Sequence, residues 1–222
     1  MTAKLDRRLS TISDMITEKY DHIWDGCCDH GALGRTLLAT QPATQIHFVD
    51  VVPTLITSLD QKLTRQFPDN PRWQTQSADL KQLLLPQPEA SHLMIIAGVG
   101  GDLTIELVQN LLANNPNTHI EFILCPVRHH FKVRQAMKQL GLKLINEALT
   151  LERKLFYEVL HIGNNAHKEI SVTGSDMWNL CNPEHQRYLE QTLQHYTRAS
   201  RSKPKAYGDI LAAYLALQTG SV

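Results

Sequence analysis

Five strand-length runs, at residues 22–25, 45–50, 73–78, 92–97 and 119–124, alternate along the chain with segments whose apolar residues recur at helical spacing. This alternation constrains the fold more than any other feature. Parallel neighbours need a crossover between them, and runs as continuously apolar as HLMIIA have no wet face, so they belong in a parallel sheet covered by helices on both sides. The helical patterns fall at 33–40, 54–66, 103–113 and 130–140, and an amphipathic helix over 4–17 (Leu5, Leu9, Ile12, Ile16) opens the fold. Residues 142–149 and 155–162 follow closely enough to pair antiparallel at one sheet edge. Past Gly163-Asn164-Asn165 the rhythm stops, and 184–199 and 207–217 read as two helices separated by the basic break RASRSKPK. The expected organisation is therefore an α/β domain over 1–165 and a helical appendage over 166–222.

In an open sheet of this kind the ligand crevice lies beyond the carboxyl ends of the strands, so the residues after each strand carry the information. The first strand runs into Asp25-Gly26-Cys27-Cys28-Asp29-His30-Gly31, the second ends at Asp50-Val51, the third at Ala78-Asp79, and the fourth at Gly98-Val99-Gly100-Gly101. Three carboxylates and two glycine clusters thus converge on one edge. Asp50, 25 residues past Asp25, stands where a carboxylate accepts both ribose hydroxyls of an adenosine-containing cofactor, or where it simply caps the helix after it. Asp79 suits an adenine amino group or, equally, an N-cap. Gly98, Gly100 and Gly101 allow close approach of backbone to ligand, or only a tight turn.

Cys27, Cys28, His30, Cys125, His129 and His130 raise a metal alternative. Structural zinc sites present ligand pairs two to four residues apart, whereas adjacent cysteines diverge, so no metal is expected. For His129 and His130 a polar helix start is the simpler reading. The four cysteines lack disulfide-framework spacing, and no stretch approaches a membrane-spanning length, which together point to the cytoplasm. Lys and Arg (22) balance Asp and Glu (22), so an anionic partner would need a local basic patch. Three segments offer one: Lys4, Arg7 and Arg8; Arg128, Lys132, Arg134 and Lys138; and Arg198, Arg201, Lys203 and Lys205.

The order LDRRLSTISDMI, DGCCDHGALG, IIAGVGGDLTIELV and FILCPVRHHFKVRQAMKQLGLKLINEALTLERKLFYEVL resembles the TrmK family of bacterial tRNA methyltransferases acting on N1 of adenine 22. The resemblance runs from about Leu5 to Leu160 and rests on the Asp29-His30 pair, the Gly-x-Gly-Gly after the fourth strand, and Glu152, Lys154, Tyr157 and Glu158. It implies a class I S-adenosylmethionine-dependent methyltransferase, Rossmann-like with a mostly parallel seven-stranded sheet and a small C-terminal helical domain. S-adenosyl-L-methionine would be held by Asp25, Gly26, Cys27, Gly31, Asp50, Val51, Ala78, Asp79, Gly98, Val99 and Gly100. Asp29 and His30 would be catalytic, with tRNA on Arg128, Lys132 and Arg134.

Three positions depart from the family pattern. Cys27 replaces a glycine, and fits if its φ is negative. Gly98-Val99-Gly100-Gly101 replaces Gly-Met-Gly-Gly. Cys125-Pro126-Val127 replaces Gln-Pro-Asn, which removes an amide suited to reading a base. That last change leaves open a methyltransferase acting on a small molecule or protein, or a silent cofactor-binding and RNA-binding module. Oligomeric state is open.

Overall fold

A computed structural model describes residues 5–40 and 45–218. Helix α1 (Arg7–Asp14) leads into β1 (His22–Gly26), α2 (Ala32–Thr40), β2 (Gln45–Asp50), α3 (Pro53–Gln66) and β3 (Trp73–Ser77). After a single 3-10 turn at Leu80–Gln82 come β4 (His92–Ala97), α4 (Gly101–Asn114), β5 (Ile120–Cys125) and α5 (His130–Gln139). The hairpin β6 (Lys143–Glu152) and β7 (Leu155–Gly163) precedes α6 (Pro183–Ser202) and α7 (Pro204–Gln218). Seven strands form one sheet in the order β3-β2-β1-β4-β5-β7-β6. The first five are parallel, and β7 inserts antiparallel between β5 and β6.

Side chains alternate across the pleat, so the apolar strands feed two cores at once. Trp24, Met94, Ile96, Phe122 and Leu124 point to one face, packing with Leu107, Val108 and Leu111 of α4 and with Val133 and Met137 of α5. Ile23, Ile46, Phe48, Leu93 and Ile95 point to the other, against Ile12 of α1, Leu37 of α2 and Leu59 and Leu63 of α3. Strand order reverses between β1 and β4, which opens the crevice where their carboxyl ends diverge.

Two segments differ from the sequence expectation. The opening helix is shorter, and Lys4 lies outside the described residues. The basic break is almost wholly helical: α6 runs to Ser202 and α7 begins at Pro204, leaving Lys203 alone between them. Pro204 accounts for this, because it disfavours helical geometry in the residue before it while suiting a first helical position. The two helices close a small core of Leu189, Tyr214 and Leu217, into which α5 contributes Phe131.

Candidate functional site

The turn after β1 is built from left-handed backbone. Cys27 (φ 58°), Asp29 (φ 51°) and Gly31 (φ 65°) all have positive φ, two of them non-glycine residues. Cys27 therefore occupies its position in the left-handed conformation, contrary to the negative φ that would have relieved it. Two tertiary hydrogen bonds hold the turn, Cys28 N donating to Val49 O and Asp29 N to the Asp50 carboxylate, and Gly31 N closes it locally on Cys28 O. Such strained residues persist only where surroundings over-determine them, and they cluster at ligand sites.

Two further glycines are required by closeness. A Cβ on Gly26 would sit 2.8 Å from Leu80 Cδ1 and 3.0 Å from Ile95 O. One on Gly34 would fall 2.3 Å from the Phe48 ring, while Gly34 N donates to Asp25 Oδ2. Gly34 thus lets α2 pack against the sheet with its N-terminus at the crevice. Sequence reading passed over Gly34, although its spacing from Gly31 in Gly-Ala-Leu-Gly was the available signal.

Asp25 is buried, and desolvation pushes its carboxyl up to about 7 despite the Gly34 N–H, with the charge of Asp50 adding to the rise. Asp50 receives Asp29 N at 3.1 Å on one oxygen and Val52 N at 3.0 Å on the other. It therefore ties the β1 and β2 turns together, with lone pairs to spare on each oxygen. Asp79 caps the 3-10 turn by accepting from Lys81 N, so it is an N-cap as well as a candidate ligand group. Burial, aided by Asp50, Asp25 and Asp79, raises the Cys27 thiol to about 11, which leaves it an apolar wall rather than a nucleophile.

These residues surround two adjoining cavities. The larger, about 680 Å³, runs from Asp50 and Val51 past Gly26, Cys27, Asp29 and His30 to Gly98, Val99, Val127 and Arg8. The smaller, about 230 Å³, lies between Ala78, Asp79, Leu80 and Leu107 and shares Cys27, Asp50, Val51 and Leu103 with the first. Gly98 has φ 82°, and Val127 N donates to Val99 O, which ties the ends of β4 and β5. Val51, Leu103 and Val127 are exposed apolar residues that line the larger cavity, an apolar rim above a floor of carboxylates. Asp29 and His30 line its mouth as exposed side chains, 3.6 Å apart between Oδ1 and Nε2. Gly100 faces the Arg128 guanidinium.

Arg134 is not available to RNA. It is fully buried, donating through Nε to Glu158 and through Nη1 to Glu147 and the carbonyl of Ser171. Both carboxylates come from the β6-β7 hairpin, so distant residues neutralise what sequence alone presents as a helix-surface cation. Tyr188 of α6 and His130 also meet Glu158, and His130 Nε2 lies 3.1 Å from Pro126 O. Burial lowers the His130 pKa, partly offset by Glu158. Lys132 remains exposed but pairs with Asp102, as His129 does. On α1, Arg7 pairs with Glu184, whereas Arg8 turns into the cavity. Among the described residues, no group of three or more His, Cys, Asp or Glu could hold a metal ion.

Residues 5–160 match the methyltransferase-domain family. No curated protein sequence is significantly similar to the chain. Among solved structures, Sp1610 of Streptococcus pneumoniae in complex with S-adenosyl-L-methionine superposes with a TM-score of 0.78 at 18% identity, over 98% of this chain and 99% of that one. TrmK of M. capricolum with S-adenosyl-homocysteine gives 0.75 at 15% identity, covering 100% and 98%. The B. subtilis M1A22 tRNA methyltransferase TrmK gives 0.72 at 18%, covering 96% and 98%. The likeness establishes a shared fold that includes the helical tail.

Proposed function

The chain belongs to the methyltransferase-domain family, and on that footing we propose that it methylates N1 of an adenine in tRNA, adenine 22, using S-adenosyl-L-methionine. One observation carries the cofactor assignment: the paired cavities present Asp79, Asp50, the strained glycine-bearing turn and Gly98 in sequence along one sheet edge. The residues fit an adenosine bearing an amino acid. Asp79 and the apolar wall of Leu80 and Leu107 would take the adenine, and Asp50 the ribose hydroxyls. The turn from Gly26 to Gly31, with Gly98 and Val99 across from it, would cradle the amino-acid part, whereas Gly100 lies against Arg128 and outside the lining of both cavities.

When bound, S-adenosyl-L-methionine supplies an electrophilic methyl on a sulfonium. Adenine N1 carries an in-plane lone pair, so the protein need not generate a nucleophile; its work is alignment and exclusion of water. The apolar rim of Val51, Leu103 and Val127 serves exclusion. The base becomes cationic on methylation, and Asp29 at the cavity mouth would stabilise that charge, with His30 beside it. N1 lies on the Watson–Crick edge, so a paired adenine must first be unpaired and extruded.

tRNA as partner is supported by the end-to-end likeness, helical tail included, to proteins named as tRNA methyltransferases. Residues 1–165 would carry methyl transfer and 166–222 would help hold RNA, working in the cytoplasm; among the described residues no helix is long and apolar enough to cross a membrane. Arg128 and Lys132 stay in the proposed RNA surface. Val127, apolar and half exposed where the family has an amide, favours a second reading: methylation of a different substrate.

The test is incubation of the protein and S-adenosyl-L-methionine with unmodified tRNA transcripts, followed by nucleoside mass spectrometry. Appearance of 1-methyladenosine, abolished by replacing adenine 22, is expected. Transfer to no tRNA, in protein that binds S-adenosylhomocysteine, would shift the assignment to the second reading.

A further inference from the structure

Arg8 stands apart from the other cations of the molecule. It lies on α1, in the half-buried layer between that helix and the sheet, and reaches the end of the larger cavity opposite Asp50. Its guanidinium carbon sits 5.1 Å from the centroid of the Tyr157 ring, and Nη1 lies 3.4 Å from where a Cβ on Gly98 would be. The backbone N of Arg8 donates to Glu152, which fixes the root of the side chain. Yet Nε is buried and has no hydrogen-bond partner among the described residues. Its neighbour Arg7 pairs with Glu184 instead. An oriented guanidinium with a buried unmatched donor is incomplete, since buried donors are nearly always satisfied and an orphan costs stability.

We propose that Arg8 binds the carboxylate of the cofactor's amino-acid part, a deepening that rests on the cofactor reading above. Order along the sheet edge supports this. Asp79 follows β3, Asp50 follows β2, the strained turn follows β1 and Gly98 follows β4, and those strands are neighbours in that order. A molecule with its adenine at Asp79 and ribose at Asp50 extends past the turn and places its far end at Gly98, against Arg8. Charge agrees as well. The acids of that lining, Asp25, Asp29 and Asp50, suit the cationic sulfonium and ammonium, while Arg8 is its one arginine and suits the anionic end. Planar guanidinium and planar carboxylate match as a two-point pair, and an apolar ring beneath strengthens the cation's hold.

An RNA phosphate could use the same guanidinium, so the experiment separates the two. Calorimetric titrations would compare S-adenosylhomocysteine with 5′-methylthioadenosine, which keeps the adenosine and thioether but lacks the amino acid. In Arg8→Ala, S-adenosylhomocysteine affinity is expected to fall about 10- to 100-fold while methylthioadenosine affinity stays within about twofold. Arg8→Lys should recover part of the loss, a point charge replacing a fork. Retained methylthioadenosine binding also shows that the variant is folded. Equal weakening of both ligands would overturn the proposal, as would unchanged S-adenosylhomocysteine binding with weaker, less salt-sensitive tRNA binding. Wild-type protein binding neither ligand would refute the cofactor reading itself.

Discussion

The two ends of the parallel strands solve the same problem in opposite ways. At the carboxyl end, polar groups face a cavity, the backbone is strained at Cys27 and Asp29, and Arg8 Nε lacks a partner. At the amino end, polar groups satisfy one another. His22 Nδ1 and His47 Nε2 share a hydrogen bond at 2.9 Å, Trp24 Nε1 donates to His92 Nδ1, and His92 Nε2 meets Gln87 O. His47 stacks on Trp24 with ring centroids 3.8 Å apart, and His22 on His92 at 4.8 Å. Both ends carry buried ionisable groups, so burial alone does not mark a binding site. What marks it is polar groups whose bonding is unfinished.

This contrast can be broken at either end. The largest effect is expected for Asp50→Ala, which removes the acceptor of two backbone N–H groups and the proposed ribose contact. S-adenosylhomocysteine affinity should drop by about 100-fold or more in calorimetry. Affinity within a few-fold of wild type would remove Asp50 from the site.

Gly34→Ala tests whether the carboxyl end tolerates a looser helix. Its Cβ would collide with the Phe48 ring, so a loss of about 1–3 kcal/mol is expected in urea unfolding, together with weaker cofactor binding.

The amino end should answer to acid rather than to ligand. Burial, reinforced by His22 and His92, lowers the His47 pKa to about 3, so in the folded state it stays neutral where an unfolded histidine takes a proton near 6.5. Its contribution is whole above about pH 6.5 and is lost as pH falls toward 3, at roughly 1.4 kcal/mol per unit. Asp25, whose carboxyl is raised to about 7 by burial, pulls the other way over the same range, so the histidine's share is read as a difference: between pH 7 and 5 the urea midpoint of the wild type should lose more, or gain less, than that of His47→Phe, with S-adenosylhomocysteine affinity at pH 7 the same in both.

The smallest effect belongs to Cys27→Gly. Glycine removes a left-handed penalty of about 1 kcal/mol but adds unfolded-chain entropy, so the melting temperature should move up by only a few degrees or less. A clear drop would mean that the Cys27 side chain's packing matters more than its backbone strain.

Much of the carboxyl end was legible from sequence, because apolar runs fix where strands stop and Asp50, Asp79 and Gly98 stand at those stops. The amino-end histidines were hidden, since His22, His47 and His92 come together only through strand register. Arg134 misled for the same reason: it lies next to Val133, with Met137 one turn on, and its partners Glu147 and Glu158 belong to strands formed later in the chain. Cys27 shows a different limit. Its left-handed backbone is imposed by bonds from its neighbours to Val49 and Asp50, which no local preference of cysteine encodes.

The buried Arg134 cluster also bears on how the molecule can be cut. Glu147 accepts Asp176 N and Met177 N, Glu158 accepts the Tyr188 hydroxyl, and Arg134 reaches the Ser171 carbonyl, all donors and acceptors beyond residue 165. A chain trimmed at the end of β7 would uncover two acids and a guanidinium to water on one side and strip their neutral partners on the other. The helical tail is thus less a detachable module than the lid of the ion cluster, and grafting it onto another scaffold would require moving α5 and the β6-β7 hairpin with it.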